Sequence, residues 1–248
     1  MNYFLEFYRD TPRQGPGDDL CTTRAFEMLG ELPDKPKVLD VGCGSGKQTL
    51  QLADLIDGEI VAVDYYDFFL DVLGEIVRRE GLEAKIKPLN ASMFDLPFED
   101  EAFDLIWSEG AIYILGFERG FGEWRRFLKP GGYIVVSELS WLRRDVPAEI
   151  FDYWTKGDEA YPEIDFISSK IAVIEKSGYR PIGHFVLPER AWMENYYRPL
   201  EEQKEAYLER YAAQPDALKI TLQFEREVEN YRKYKDYYGY VFYLAQKL

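Results

Sequence analysis

The run Val38-Leu39-Asp40-Val41-Gly42-Cys43-Gly44-Ser45-Gly46-Lys47 constrains this chain more than any other feature. A short β-branched strand passes directly into three alternating glycines and then into a helical pattern. Strand, glycine turn and helix in that order form the element at which a doubly wound sheet meets its ligand. Glycine at Gly42, Gly44 and Gly46 permits a tight turn and lets a ligand approach the backbone with no Cβ in the way. A plain strand-to-helix turn is the alternative meaning of the same residues.

The surrounding pattern agrees with such a sheet. Strands are expected at Lys37–Val41, Glu59–Val63, Ala84–Leu89, Phe103–Trp107 and Tyr133–Val136, alternating with helices over Gly46–Leu55, from Phe68 through Val72 and Ile76 to Arg79, and over Phe117–Leu128. Alternating strands and helices build βαβ units and a parallel sheet. An amphipathic helix is expected ahead of the sheet at Asp18–Leu29, preceded by a Pro/Gly loop, Pro12–Gly17. After residue 140 a helix is expected near Ile164–Ser177, with strands near Pro181–Leu187 and at Tyr238–Ala245. The fifty or so residues Glu189–Asp236 between those strands are too many for a plain connection and carry helical periodicity.

The glycine spacing is G-x-G-x-G, not the G-x-G-x-x-G of dinucleotide sites, and the residue two before the first glycine, Asp40, is acidic. A carboxylate there repels a pyrophosphate and suits a cation such as the sulfonium and ammonium of S-adenosylmethionine. Asp64 ends the second strand, 22 residues beyond Gly42, where a carboxylate can grip both ribose hydroxyls. Tyr65 is then placed to lie against the adenine. A helix cap is the other use of Asp64.

Composition narrows the classes. The 248 residues carry 30 Lys and Arg against 45 Asp and Glu, a net charge of −15, which repels nucleic acid and anionic membrane surfaces. The longest apolar run is the six residues Tyr240–Ala245, far short of the roughly 20 that a membrane span needs. No secretory signal is visible in the first residues, so a cytoplasmic location is the expectation. Two cysteines, Cys21 and Cys43, and one histidine, His184, supply neither a disulfide framework nor a metal ligand set, and they exclude most histidine-dependent hydrolases.

Taken with Asp64, the glycine run, the stretch Leu96-Pro97-Phe98-Glu99-Asp100-Glu101-Ala102-Phe103-Asp104-Leu105-Ile106 and the later Leu128-Lys129-Pro130-Gly131-Gly132 resemble the class I S-adenosylmethionine-dependent methyltransferases, in their type 11 small-molecule group. The match spans about residues 35–140. The resemblance implies a Rossmann-like, doubly wound α/β sheet of seven strands, mostly parallel with an antiparallel last strand, and a helical insertion before that strand. It also implies one methyltransferase domain over 1–248: residues 1–34 cover the cofactor, 35–140 bind it, and 189–236 form a helical lid.

The same resemblance assigns roles by position. Gly42, Cys43, Gly44, Gly46, Asp40, Asp64 and Tyr65 hold S-adenosylmethionine, the product being S-adenosylhomocysteine. Ser92 and Met93 stand where the family offers an acidic residue and a backbone amide to the adenine, so this chain presents a hydroxyl instead. Gln14, with Arg13, stands in a segment like the one that folds over the methionine end in relatives, and is otherwise an ordinary surface loop. Ser108 and Glu109, at the end of the fourth strand, are candidate cofactor or acceptor contacts. Glu109 has four uses open to it: partner of the cofactor ammonium, partner of a cationic acceptor, base, or solvated loop carboxylate. Tyr113 shares that ambiguity. His184 is either a base or a packed strand residue, and Glu138 and Trp141 either line an acceptor pocket or fill the core. The expected activity is methyl transfer to a small molecule by direct displacement. A non-catalytic sensor or partner subunit that binds S-adenosylmethionine is the alternative, followed by a nicotinamide-dependent oxidoreductase. Oligomeric state is not legible.

Overall fold

The computed structural model describes residues 2–156, 161 and 164–248; Met1, at the head of the expected covering segment, lies outside them. The core is one mixed sheet. In chain order its strands are β1 (Lys37–Val41), β2 (Glu59–Asp64), β3 (Ile86–Asn90), β4 (Phe103–Glu109), β5 (Leu128–Trp141), a two-residue β6 (Asp165–Phe166), β7 (Tyr179–Val186) and β8 (Tyr238–Lys247). They lie in the order β3-β2-β1-β4-β5-β8-β7, with β6 paired to β5 off that path. β1 to β5 run parallel, and β8 is antiparallel to both β5 and β7. The expected architecture is present, with one short strand added.

Successive residues of the central strands alternate between two buried faces. Val38, Leu105, Trp107 and Val135 enter one core, while Leu39, Val41, Ile106, Ile134 and Val136 enter the other. A strand buried on both faces reads as a continuous apolar run, the pattern that identified β1, β2 and β4.

The helices between the strands are α1 (Tyr3–Phe7), α2 (Asp19–Glu27), α3 (Lys47–Leu55), α4 (Asp67–Arg79), α5 (Phe117–Trp124), α6 (Ala148–Lys156) and α7 (Ile167–Lys176). The insertion holds α8 (Glu189–Trp192), a π turn (Met193–Tyr197), α9 (Arg198–Tyr211) and α10 (Pro215–Tyr234). Three local expectations need correction. The buried stripe of α4 is Phe69, Leu70, Leu73 and Val77, not Phe68, Val72 and Ile76, which are only half-buried at its flank. Both stripes repeat every four residues, and only packing on the sheet chooses between them. α5 ends at Trp124 in a 3-10 turn, and β5 begins at Leu128 and continues to Trp141. Its C-terminal half is masked in sequence by Ser137, Glu138 and Ser140, all fully buried. Helices α1 and α6 had no counterpart in the pattern.

Candidate active site

The glycine loop sits where β1 ends. Gly42 and Gly44 adopt positive φ, 74° and 55°, in the left-handed region that favours glycine. The Gly42 and Cys43 N–H groups both donate to the Val63 carbonyl, at 2.8 and 2.9 Å, tying the loop to β2. A Cβ on Gly42 would collide with that of Ala111, so the chain has no room there for any other residue.

This loop floors a cavity of ≈ 510 Å³ at the carboxyl ends of β1, β2 and β4. Such a volume suits one drug-sized ligand, and the position is the one at which open parallel sheets bind ligands. Gly42, Cys43 and Gly44 line it together with Asp64, Tyr65, Ser92, Met93, Glu109 and Tyr113, so nine of the expected site residues come together. Gln14 joins them from the other side. Its Oε1 accepts the Ser45 N–H at 3.0 Å, and its Nε2 donates to Ser45 Oγ at 3.1 Å. The N-terminal segment is thereby closed onto the glycine loop.

Asp64 is oriented by that loop. Its Oδ2 accepts the Gly44 N–H at 2.9 Å and its Oδ1 the Tyr66 N–H at 3.0 Å. Burial pushes its carboxyl above the usual carboxylate range against those backbone donors, which act in the opposite direction. The Ser92 hydroxyl accepts the Phe94 N–H at 3.2 Å and shapes the loop after β3. Burial holds the Cys43 thiol far above its ordinary range, so it contributes shape and not nucleophilicity.

Glu109 is no solvated carboxylate. Its Oε1 accepts Thr22 Oγ1–H at 2.8 Å and Trp107 Nε1–H at 2.9 Å, and Arg13 Nη1 lies 3.5 Å from its Oε2. Burial raises its pKa, opposed by Arg13, Trp107 and Thr22 in that order. Arg13 in turn donates to Asp19 Oδ1 at 2.7 Å. The segment Pro12–Gly17 is therefore no free surface loop. The Tyr113 ring lies 4.5 Å from that of Tyr161, and burial raises its hydroxyl pKa.

Several expected contacts are displaced. Asp40 does not line the cavity: it lies behind the glycine loop, fully buried, with Oδ2 accepting Thr49 Oγ1–H at 2.6 Å. Gly46 faces Leu73 of α4, which a Cβ would strike, so its absent side chain serves helix packing. Ser108 donates to the Val41 carbonyl at 2.9 Å and staples β4 to β1. His184 stands exposed on the edge strand β7 beside Tyr243, away from the cavity, so it is neither the base nor a packed residue. Glu138 is buried 3.6 Å from Lys170, and Trp141 stacks on Phe151 in the core; neither lines the cavity.

The cover also differs. Among the cavity's lining residues none comes from 189–236; Phe4 of α1 and Arg13–Pro16 stand there instead. The insertion braces α1 from outside. Tyr207 donates its hydroxyl to the Tyr3 carbonyl at 3.0 Å, the Tyr8 and Tyr196 hydroxyls share a bond of 2.9 Å, and the Phe7 ring packs edge-on against Tyr207 and Phe224. Sequence reasoning missed Phe4, Tyr66, Phe94 and Ile114, which complete the wall. The Trp107–Glu109 pair was within reach, since residues two apart share a face of a strand.

Residues 39–136 match the family model of the type 11 group, described as a methyltransferase domain. Over 182 residues the chain is 30% identical to Methyltransferase GfsG of Streptomyces halstedii, covering 67% of this chain and 65% of that protein. Over 111 residues it is 32% identical to Sterol 24-C-methyltransferase ERG6B of Gibberella zeae, covering 44% of this chain and 29% of that one. The chain thus spans from under a third to about two thirds of the length of these relatives. Its fold superposes on an S-adenosylmethionine-dependent methyltransferase from Geobacter sulfurreducens, solved with S-adenosylhomocysteine, with a TM-score of 0.84 at 18% identity over 100% of this chain and 98% of that one.

Proposed function

We propose that this chain, whose residues 39–136 match a methyltransferase-domain family model, is a class I S-adenosylmethionine-dependent methyltransferase that transfers the methyl group of S-adenosylmethionine to a small-molecule acceptor. The observation that carries this is the cavity itself, with bare backbone at Gly42 and Gly44 on its floor, the Asp64 carboxylate beside them, and aromatic walls. These residues fit the cofactor. Asp64 keeps lone pairs for two ribose hydroxyls, Tyr65 and the Ser92–Met93 loop flank the adenine, and the glycine loop with Gln14 and Arg13 holds the methionine end. S-adenosylmethionine supplies an electrophilic methyl group on a sulfonium, which needs neither a metal nor redox chemistry.

The chain's part is then positioning. An acceptor atom held in line with the methyl carbon at about 3 to 3.5 Å reacts without a strong catalyst, because the entropy of alignment is already lost on binding. α1 and Arg13–Pro16 exclude water, which strengthens charge interactions inside the site. Glu109, whose oxygens are taken by Thr22, Trp107 and Arg13, anchors this cover and is not the base. Tyr113 lines the cavity with its ring 4.5 Å from that of Tyr161, and we assign its hydroxyl to orienting the acceptor. The whole chain acts as one domain, in which residues 189–236 brace the lid while the N-terminal segment forms it.

The test is turnover. Purified protein incubated with S-adenosylmethionine and fractionated cell extract is expected to release S-adenosylhomocysteine, and Tyr113→Phe to slow that release. Binding of S-adenosylmethionine with no turnover in any fraction would favour the sensor alternative.

A further inference from the structure

We propose that the acceptor is an uncharged molecule with a largely apolar body, which stays at the mouth of the cavity while only its reacting end enters. This rests on the methyltransferase reading and deepens it. Six of the twelve large apolar or aromatic side chains that stand exposed among the described residues line this one cavity: Phe4, Tyr65, Tyr66, Phe94, Tyr113 and Ile114. Exposed apolar side chains scattered singly need no explanation, but a ring of them around one opening marks a binding surface.

Volume and charge then select the occupant. A cavity of ≈ 510 Å³ is filled largely by one ligand of the cofactor's size, so the bulk of a second molecule has to rest on the rim. With Tyr65 given to the adenine, Phe4, Tyr113 and Ile114 remain beside Gly110 and Ala111 for that second molecule. The charged side chains among the lining residues are Arg13, Asp64 and Glu109. Arg13 and Glu109 face each other, and Asp64 lies on the adenosyl side. Arg119, the nearby exposed cation, stands over Phe94 and is paired with Glu123. The acid behind Tyr113, Glu138, is buried 3.6 Å from Lys170. Among the described lining residues a charged acceptor would therefore give up hydration for no partner, a loss that a neutral apolar body does not suffer. The Tyr113 and Tyr66 hydroxyls are the rim's polar groups left to orient the neutral nucleophile.

The experiment uses the full chain saturated with S-adenosylhomocysteine and titrated with N-phenyl-1-naphthylamine, a neutral apolar dye that fluoresces when sheltered from water. Saturable binding is expected. It should be displaced by 2-naphthylmethanol and at least tenfold less well by 2-naphthylmethylammonium and 2-naphthoate, which share its body and differ in charge. Phe4→Ser with Ile114→Ser should weaken dye binding at least tenfold, and Ile114→Ser alone should act in the same direction, both measured in protein saturated with S-adenosylhomocysteine. Leu218→Ser with Leu222→Ser, an exposed apolar pair on α10, should change nothing. Dye binding that is absent, insensitive to the rim variants, or displaced as well by a charged competitor overturns the proposal. So does co-flotation with neutral phosphatidylcholine vesicles that the rim variants abolish, which would assign the rim to a lipid surface. Failure to bind S-adenosylhomocysteine at all overturns the methyltransferase reading itself, and the proposal with it.

Discussion

Arg13 and Glu109, 96 residues apart in sequence, meet at 3.5 Å with both side chains almost sealed from solvent. The contact joins the N-terminal segment to the end of β4, so the cavity's cover and its floor are one mechanical unit. Removing one member of a buried pair leaves an uncompensated charge, at a cost of roughly 3 kcal/mol. Arg13→Ala is therefore expected to lower unfolding stability in urea by about that amount, and adding Glu109→Gln should restore more than half of it.

Asp40 offers a pH test. Burial pushes its carboxyl up from its ordinary 3.8 to about 7. The folded chain then keeps a proton that the unfolded chain releases, and stability falls as pH rises from about 4 to 7. Asp40→Asn imitates the protonated form and can still accept from Thr49. The stability difference between this variant and the parent is expected to grow in the variant's favour across that window and level off above it. One pKa unit corresponds to about 1.4 kcal/mol, so the plateau amounts to a few kcal/mol. A difference that stays flat with pH would contradict the placement of Asp40 behind the loop.

Gln14 occupies the space a Cβ on Gly44 would need, at a backbone φ of 55°. Gly44→Ala should weaken S-adenosylhomocysteine binding at least tenfold, measured by fluorescence quenching. The collision has two causes, strained backbone and the Gln14 amide. Gln14→Ala in the same protein relieves only the second and also removes a side chain assigned to the methionine end, so it is expected to recover part of the lost thermal stability but not the affinity.

His184→Ala should leave both thermal stability and S-adenosylhomocysteine affinity unchanged within error. The ring is exposed on β7 and stands apart from the cavity. A tenfold loss of turnover in this variant would return the histidine to the reaction.

What was legible in the sequence was local. The strand-glycine-helix run and the acid at the end of β2 announce themselves because each is set by residues adjacent in the chain. Asp40 and Ser108 were misassigned because alternation along a strand shows that a residue changes face, not which face looks onto the ligand. The stripe on α4 was rotated by one residue for a related reason, since Phe68 and Phe69 both begin a run of apolar residues four apart. The cover of the cavity was out of reach altogether. Phe4 is placed by α1, and α1 by Tyr196, Tyr207 and Phe224, contacts 188 residues or more apart that no local pattern encodes. The aromatic residues of the insertion suggested a lid, and in the structure they pack against α1.

The most direct measurement is calorimetric titration of the whole protein with S-adenosylhomocysteine, beside Asp64→Ala and beside NADH. One site per chain is expected, with a Kd in the micromolar range or tighter, a loss of about 1.4 kcal/mol or more (tenfold) in the variant, and no heat from NADH. Binding of NADH in place of S-adenosylhomocysteine, or equal affinity in the parent and the Asp64 variant, would contradict the assignment of this cavity.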